Sequence, residues 1–157
     1  MKVNYYLTLC MLLVGLGMSS CKSSSTKAFY TFETECMSDE LDGSVVLRAW
    51  GQGASRTDAM EQAKKKALRA VIFEGIKKGQ CTFKPLLFEV NAEEKYQAYF
   101  NNFFGSGEYA HFVKMDATKM NSGVKAESKT RNSYAVVIRV LRADLEQKLI
   151  SDNILKK

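Results

Sequence analysis

The sequence predicts an α+β fold: a single domain over 28–157, built as a mainly antiparallel sheet packed by two to three helices. Three observations point there. Tyr30, Phe32, Thr34 and Cys36 alternate with Thr31, Glu33 and Glu35, which is the period of a half-buried strand. The runs 44–51 and 134–141 are β-branched and aromatic-rich. Two further stretches, opening at Ser55 and Asn91, carry helix-capping signals followed by apolar residues at helical spacing. A chain of 157 residues with 46% hydrophobic content can bury one core, and ten Gly with one Pro exclude a fibrous or low-complexity chain.

Taken in order, a strand ending at Cys36 leads to a turn at Asp42-Gly43 and a second strand over 44–51. Ser55-Arg56-Thr57-Asp58 then reads as a capping box, because the Asp58 carboxylate can reach back to the amide of the capping serine. The helix it opens is expected to run to Lys78, with Lys77 and Lys78 at its negative end and Gly79 as its stop. Ala59, Ala63, Ala67 and Ala70 form a stripe of small side chains that would let this helix lie close to a sheet. Residues 83–90, with the single Pro85, read as an extended or edge segment. Asn91-Ala92-Glu93-Glu94 offers a second capping box for a helix through Phe104, stopped by Gly105-Ser106-Gly107. Strands are expected over 109–115 and 124–129. A strand over 134–141, apolar on almost both faces, belongs in the middle of the sheet. A closing helix over 143–153 presents Leu145, Leu149 and Ile150 to the core.

The first twenty residues have a different character. Lys2 precedes an apolar run over 5–18 that is too short for a spanning helix and reads as the core of an export signal. Met18-Ser19-Ser20-Cys21 resembles the box at which lipoprotein precursors are cleaved, with Met18 standing where leucine is usual. The reading is therefore a signal peptide over 1–20, acylation (palmitate among the chains) at Cys21, and a polar tether over 21–27. An ordinary secretory signal followed by a structural cysteine is the alternative. Each acyl CH2 buried in a bilayer contributes about 0.8 kcal/mol, so two or more chains anchor a protein stably. The tether has no acidic cluster of the kind associated with surface export, which favours a periplasm-facing position; the expected location is the outer membrane, facing the periplasm. Removing 1–20 takes away only Lys2 among the charged residues, so 22 basic residues face 17 acidic ones. That balance suits anionic headgroups or wall polymers, and nucleic acid is not an expected partner of an exported chain.

Cys10 leaves with the signal and Cys21 is acylated, so Cys36 and Cys81 remain as an even pair in an oxidising compartment. They are either disulfide-bonded or two separate buried thiols.

Catalytic constellations are scarce. Gly51-Gln52-Gly53 lies between a strand and a helix, where a dinucleotide-binding glycine motif belongs, but Arg56 occupies the place of the third glycine. A tight turn and close strand–helix approach explain the glycines better. His111 is the single histidine, with no partner nucleophile nearby in sequence, and reads as a partly exposed strand residue. Glu33, Glu35, Asp39, Glu40 and Asp42 cluster early without the spacing of a calcium loop, so a solvated acidic surface is expected and no metal or cofactor. Tyr96, Tyr99, Phe100 and Phe103 could line a ligand groove, or could simply be core at helical spacing. The run Lys64-Lys65-Lys66 reads as the wet face of a helix.

The stretch 47–53 followed by 55–67, with its strand, Gly-x-Gly and spaced alanines, resembles the LPP-twenty-type lipoproteins and the amino-terminal domain of the flagellar assembly protein T. Thr34-Glu35-Cys36, Leu41-Asp42-Gly43-Ser44, Asn91-Ala92-Glu93-Glu94-Lys95-Tyr96 and Val140-Leu141-Arg142 are similar to uncharacterised lipoproteins of Bacteroidota. The resemblance implies a small α+β envelope module without catalytic activity and leaves its partner open. The expectation is thus a lipid-anchored bacterial envelope protein, a non-enzymatic binding or structural module with an envelope protein partner. The alternative is a periplasmic receptor for a small ligand or a cell-wall polymer.

Overall fold

A computed structural model of the chain describes residues 33–115, 125–127 and 132–156. The signal segment, Cys21, the tether, and residues 28–32, 124, 128 and 129 of the expected strands lie outside the described residues.

The fold is α+β, with a six-stranded sheet and helices that follow the strands in sequence. Strand β1 (Glu35–Asp39) and strand β2 (Val45–Gly53) form a hairpin whose turn needs Gly43 at φ 77°. Inside that turn Asp42 Oδ1 accepts from both the amide (2.9 Å) and the hydroxyl (2.6 Å) of Ser44. Strand β3 (Lys78–Gly79) runs parallel to the start of β1, whereas the remaining pairings are antiparallel. Strands β4 (Val113–Met115) and β5 (Lys125–Glu127) both pair with the long strand β6 (Asn132–Val140). The order β3-β1-β2-β6-β4 places β6 inside the sheet, which is why Ala135, Val136, Val137 and Ile138 are all buried.

Helix α1 (Arg56–Arg69) begins as the sequence predicts. The Asp58 amide donates to Ser55 Oγ, and Asp58 Oδ2 accepts from the Ser55 amide, each at 3.1 Å. It then lies on β2 and β6 at backbone distance. A Cβ added at Gly51 would stand 1.7 Å from the Ala59 carbonyl oxygen, and one at Gly53 would stand 2.7 Å from the Ala59 amide nitrogen. Ala59, Ala63 and Ala67 are fully buried in this contact. The two glycines therefore serve close packing, as their position between strand and helix implied.

The end of this helix differs from the expectation. It does not reach Lys78: after Arg69 it widens into a π turn over Ala70–Glu74, and Gly75, at φ 74°, ends it. The wider turn leaves the carbonyls of Val71 and Ile72 free to accept the amides of Leu86 (3.0 Å) and Leu87 (2.9 Å). Lys77 and Lys78 consequently belong to the following loop and strand. That loop is stapled to the sheet, since Cys36 and Cys81 form a disulfide with Cα atoms 5.3 Å apart. Closing a loop of 45 residues contributes about 4 kcal/mol on the chain-entropy account.

The second capping box does not form. Asn91 sits in the left-handed region at φ 60° and its side chain caps nothing, so a single turn, α2 (Ala92–Lys95), is broken at Tyr96 from α3 (Gln97–Gly105). The segment expected as a strand over 109–115 is mostly a 3-10 turn, Glu108–Phe112, before β4 begins. Helix α4 (Arg142–Ser151) closes the fold, with Leu145 and Leu149 fully buried and its Ala143 amide donating to the Gly43 carbonyl of the first hairpin.

Because the obstruction at Gly51 is helix backbone, Gly51→Ala is expected to destabilise the domain by about 3 kcal/mol in denaturant titration. Gly105→Ala, where a Cβ meets nothing within 4 Å, should be neutral or stabilising by about 0.5–1 kcal/mol.

Candidate functional site

Among the described residues three large apolar side chains are exposed: Leu41 at the turn of the first hairpin, and Phe88 and Val90 together on the loop between α1 and α2. Leu86 and Leu87 are buried and hydrogen-bonded to the π turn, while the next residues are held outward: Phe88 is 77% and Val90 88% exposed. An exposed bulky side chain on a free loop can fold back over the nearest apolar surface. Here two backbone hydrogen bonds, the Ile76–Phe83 bridge and the disulfide at Cys81 fix the segment.

Open depressions flank this ridge. One, of about 660 Å³, is lined by Phe73, Ile76, Phe83, Pro85, Leu87 and Phe88, with Lys77, Lys84 and Glu74 among them. The other, of about 630 Å³, is lined by Phe73, Leu87, Phe100 and Phe104 with a polar border that includes Arg69, Glu93 and Asn101. Arg69 is ion-paired with Glu93. Glu89 is ion-paired with Lys95, whose hydrogen bond holds the Glu89 carboxyl below its ordinary value. Among the described residues, Lys77 and Lys84 have no carboxylate partner.

Of the aromatic residues expected to form a groove, Phe100 lines the 630 Å³ depression. Phe103 is 1% exposed and belongs to the core, stacked among Tyr99, Phe100, Phe104 and Phe112. Tyr99 turns toward α4 and donates to Asp152 Oδ2 at 2.6 Å; Tyr96 lies under the Lys95 ammonium, 4.8 Å from the ring centre. The four side chains therefore do not converge on one groove, because the break at Tyr96 and the burial of Phe103 send them in different directions. Sequence reasoning missed Phe88, Val90 and Lys84 as surface features. The run Pro85-Leu86-Leu87-Phe88-Glu89-Val90 has no period that tells its buried half from its exposed half.

Many of the remaining polar groups are engaged in fixing the fold. Glu33 Oε2 pairs with Lys78 Nζ at 2.7 Å, Glu35 with Arg48 at 3.5 Å, and Glu40 and Asp42 both with Arg139 at 3.9 and 3.8 Å, so these four early carboxylates are distributed over three cations. His111 is exposed on the 3-10 turn rather than in a strand. Among the described residues no group of three His, Cys, Asp or Glu side chains is placed to hold a metal ion, and no helix is long and apolar enough to cross a membrane. Two tyrosine–carboxylate pairs lock helices together. Tyr99 joins α3 to Asp152, which Lys148 also contacts at 3.1 Å; Tyr109 donates to Glu61 Oε2 at 2.6 Å, and Glu61 accepts from Lys64 at 2.6 Å. Burial, then the hydrogen bond to its carboxylate, raises each phenol, Tyr109 to about 12. The Tyr99 hydrogen bond lowers the Asp152 carboxyl, and the Lys64 hydrogen bond, followed by that of Tyr109, lowers Glu61.

No family model matches the chain, and no curated protein or solved structure does so either.

The pairs set the pH dependence of stability. The lowered carboxyls contribute above their unfolded values, 3.8 for Asp and 4.5 for Glu, and that contribution is lost as pH falls through the folded values. The raised phenols contribute below 10.0, and theirs is lost as pH climbs through the folded values, by about 12 for Tyr109. The denaturation midpoint should therefore fall at both extremes of a pH series. Tyr99→Phe with Tyr109→Phe should flatten the alkaline decline, and an unchanged decline would assign it to other groups.

Proposed function

We propose that this chain is a lipid-anchored protein of the bacterial envelope, processed before Cys21 and acylated there, whose α+β domain is a non-enzymatic binding or structural module. The observation that carries this reading is the order of features at the amino terminus: one lysine, an apolar run over 5–18, Met18-Ser19-Ser20-Cys21, and then a polar stretch with no apolar residue to pack. The resemblance over 47–67 to envelope lipoproteins and the polar, non-acidic tether favour an outer-membrane position facing the periplasm. The partner on this reading is another envelope component, and the ridge at 86–90, with exposed apolar side chains on a fixed backbone, is a surface suited to contact.

A second reading, a receptor for a small ligand or wall polymer, draws on the 630 Å³ depression beside Phe100 and Phe104. Its volume falls within the usual range for ligand sites, but its open, partly charged border differs from the enclosed apolar clefts in which small ligands are held.

Mass spectrometry of the native product after detergent extraction tests the leading reading. The expected species begins at Cys21 and carries acyl chains, and Cys21→Ser moves the protein from the membrane to the soluble fraction. An unmodified chain released into the soluble fraction, indistinguishable from Cys21→Ser, would overturn it.

A further inference from the structure

We infer that the ridge formed by Phe88 and Val90, with Lys77 and Lys84 beside it, seats the domain against the lipid bilayer that holds its acyl anchor. This inference rests on the acylation reading given above. Three observations support a bilayer as the occupant.

The first is shape. Phe88 and Val90 present their apolar side chains on the same short segment, and the backbone that carries them is pinned at Leu86 and Leu87 to the π turn. A fixed pair of protruding apolar groups beside an open depression suits a deformable apolar phase, which needs no matching knobs or holes. The second is charge. Glu89 is neutralised by Lys95 and Lys78 by Glu33, so in the depression that Phe88 borders Lys77 and Lys84 face only the carboxylate of Glu74, while Glu94 lines the depression on the other side. Each lysine near an anionic surface contributes about 1 kcal/mol, so the balance favours phosphate headgroups.

The third is where the chain enters the fold. Glu33, the first described residue, is salt-bridged to Lys78, and Glu33 and Lys77 line one small depression. Lys77 in turn lines the depression that Phe88 borders, so the first described residue, Glu33, lies on the side of the domain that carries the ridge. Residues 22–32 reach at most about 40 Å even when fully extended. A domain confined to that distance from its own anchor meets the bilayer at high effective concentration, and a contact too weak to recruit a free protein is then sufficient.

The test uses the acylated full-length product reconstituted in vesicles of phosphatidylethanolamine and phosphatidylglycerol, with and without bromine on the acyl chains. Wild-type protein gives the background from its one tryptophan, Trp50, and Phe88→Trp adds a probe at the ridge; substitution there leaves the core untouched because the side chain is exposed. Flotation and intact mass are read on the same samples. The expected result is roughly twofold quenching of the added emission by brominated chains, since groups seated in the interface reach the headgroup–acyl boundary. Combining Phe88→Trp with Val90→Ser and Lys84→Glu should reduce that quenching toward the wild-type background. Co-flotation of an acylated protein without quenching overturns the inference and leaves the anchor standing. Absence of both acyl mass and flotation overturns the two together. Blue-shifted emission that bromine does not quench and that grows with protein density assigns the ridge to a second copy of the chain, and also overturns the inference.

Discussion

The fold depends on backbone meeting backbone where helix α1 crosses strand β2. With Cβ positions at Gly51 and Gly53 already occupied by the helix, the sheet and helix approach as closely as main chains allow, and Ala59, Ala63 and Ala67 supply side chains small enough to permit it. Dispersion attraction falls steeply with separation, so this closeness lets a layer of methyl groups do what larger side chains do elsewhere. The capping box at Ser55 and Asp58 fixes the start of the helix two residues after Gly53, and so sets the axial position of the stripe over the strand.

The path of the chain beyond α1 is a consequence of that placement. Leu68, Val71 and Ile72 continue into the core, and the π turn then shifts the phase of the helix before Gly75 turns the chain back. The carbonyls exposed by the turn take their partners from Leu86 and Leu87, and the disulfide and the short β3 strand hold the intervening segment to β1. Gly79 is needed at that strand: its φ is 104°, and a Cβ there would stand 2.0 Å from the Cys36 carbonyl oxygen. Phe88 and Val90 are therefore exposed on a constrained backbone. Burying either side chain would contribute roughly 1.5–3 kcal/mol, which the fold forgoes.

The legible part of this protein was the part governed by local periodicity. Alternation and β-branching located β2 and β6, and the apolar character of 134–141 on both faces placed β6 inside the sheet, because a strand away from the edges is the one whose two faces are most readily covered. Ser55 and Asp58 marked the start of α1 for a reason wholly contained in four residues. The end of α1 was not legible, since Lys77, Lys78 and Gly79 satisfy the usual stop signals, and the earlier stop at Gly75 depends on amides contributed eleven and twelve residues later. Asn91 illustrates the same limit: its sequence context is that of a cap, but the preceding loop arrives in a direction that puts it in the left-handed region. The aromatic residues at 96, 99, 100 and 103 share a helical period in sequence, and the break at Tyr96 together with the pull of Asp152 on Tyr99 separates them. The exposed ridge was invisible because burial of two leucines and exposure of the next phenylalanine is decided by tertiary hydrogen bonds alone.

On the proposed reading, a frame that carries an outward-facing apolar ridge would suit a tethered module, whose partner or surface an anchor keeps near and which then needs only a small, fixed contact. Such a contact requires that the backbone of the ridge be fixed. Native-state hydrogen exchange of the oxidised domain tests it most directly. The amides of Leu86 and Leu87 should be protected nearly as well as those of Ala63 and Ala67 in α1, and should lose protection first when the Cys36–Cys81 bond is reduced. Exchange of Leu86 and Leu87 at the rate of an open loop, while α1 stays protected, would contradict the account.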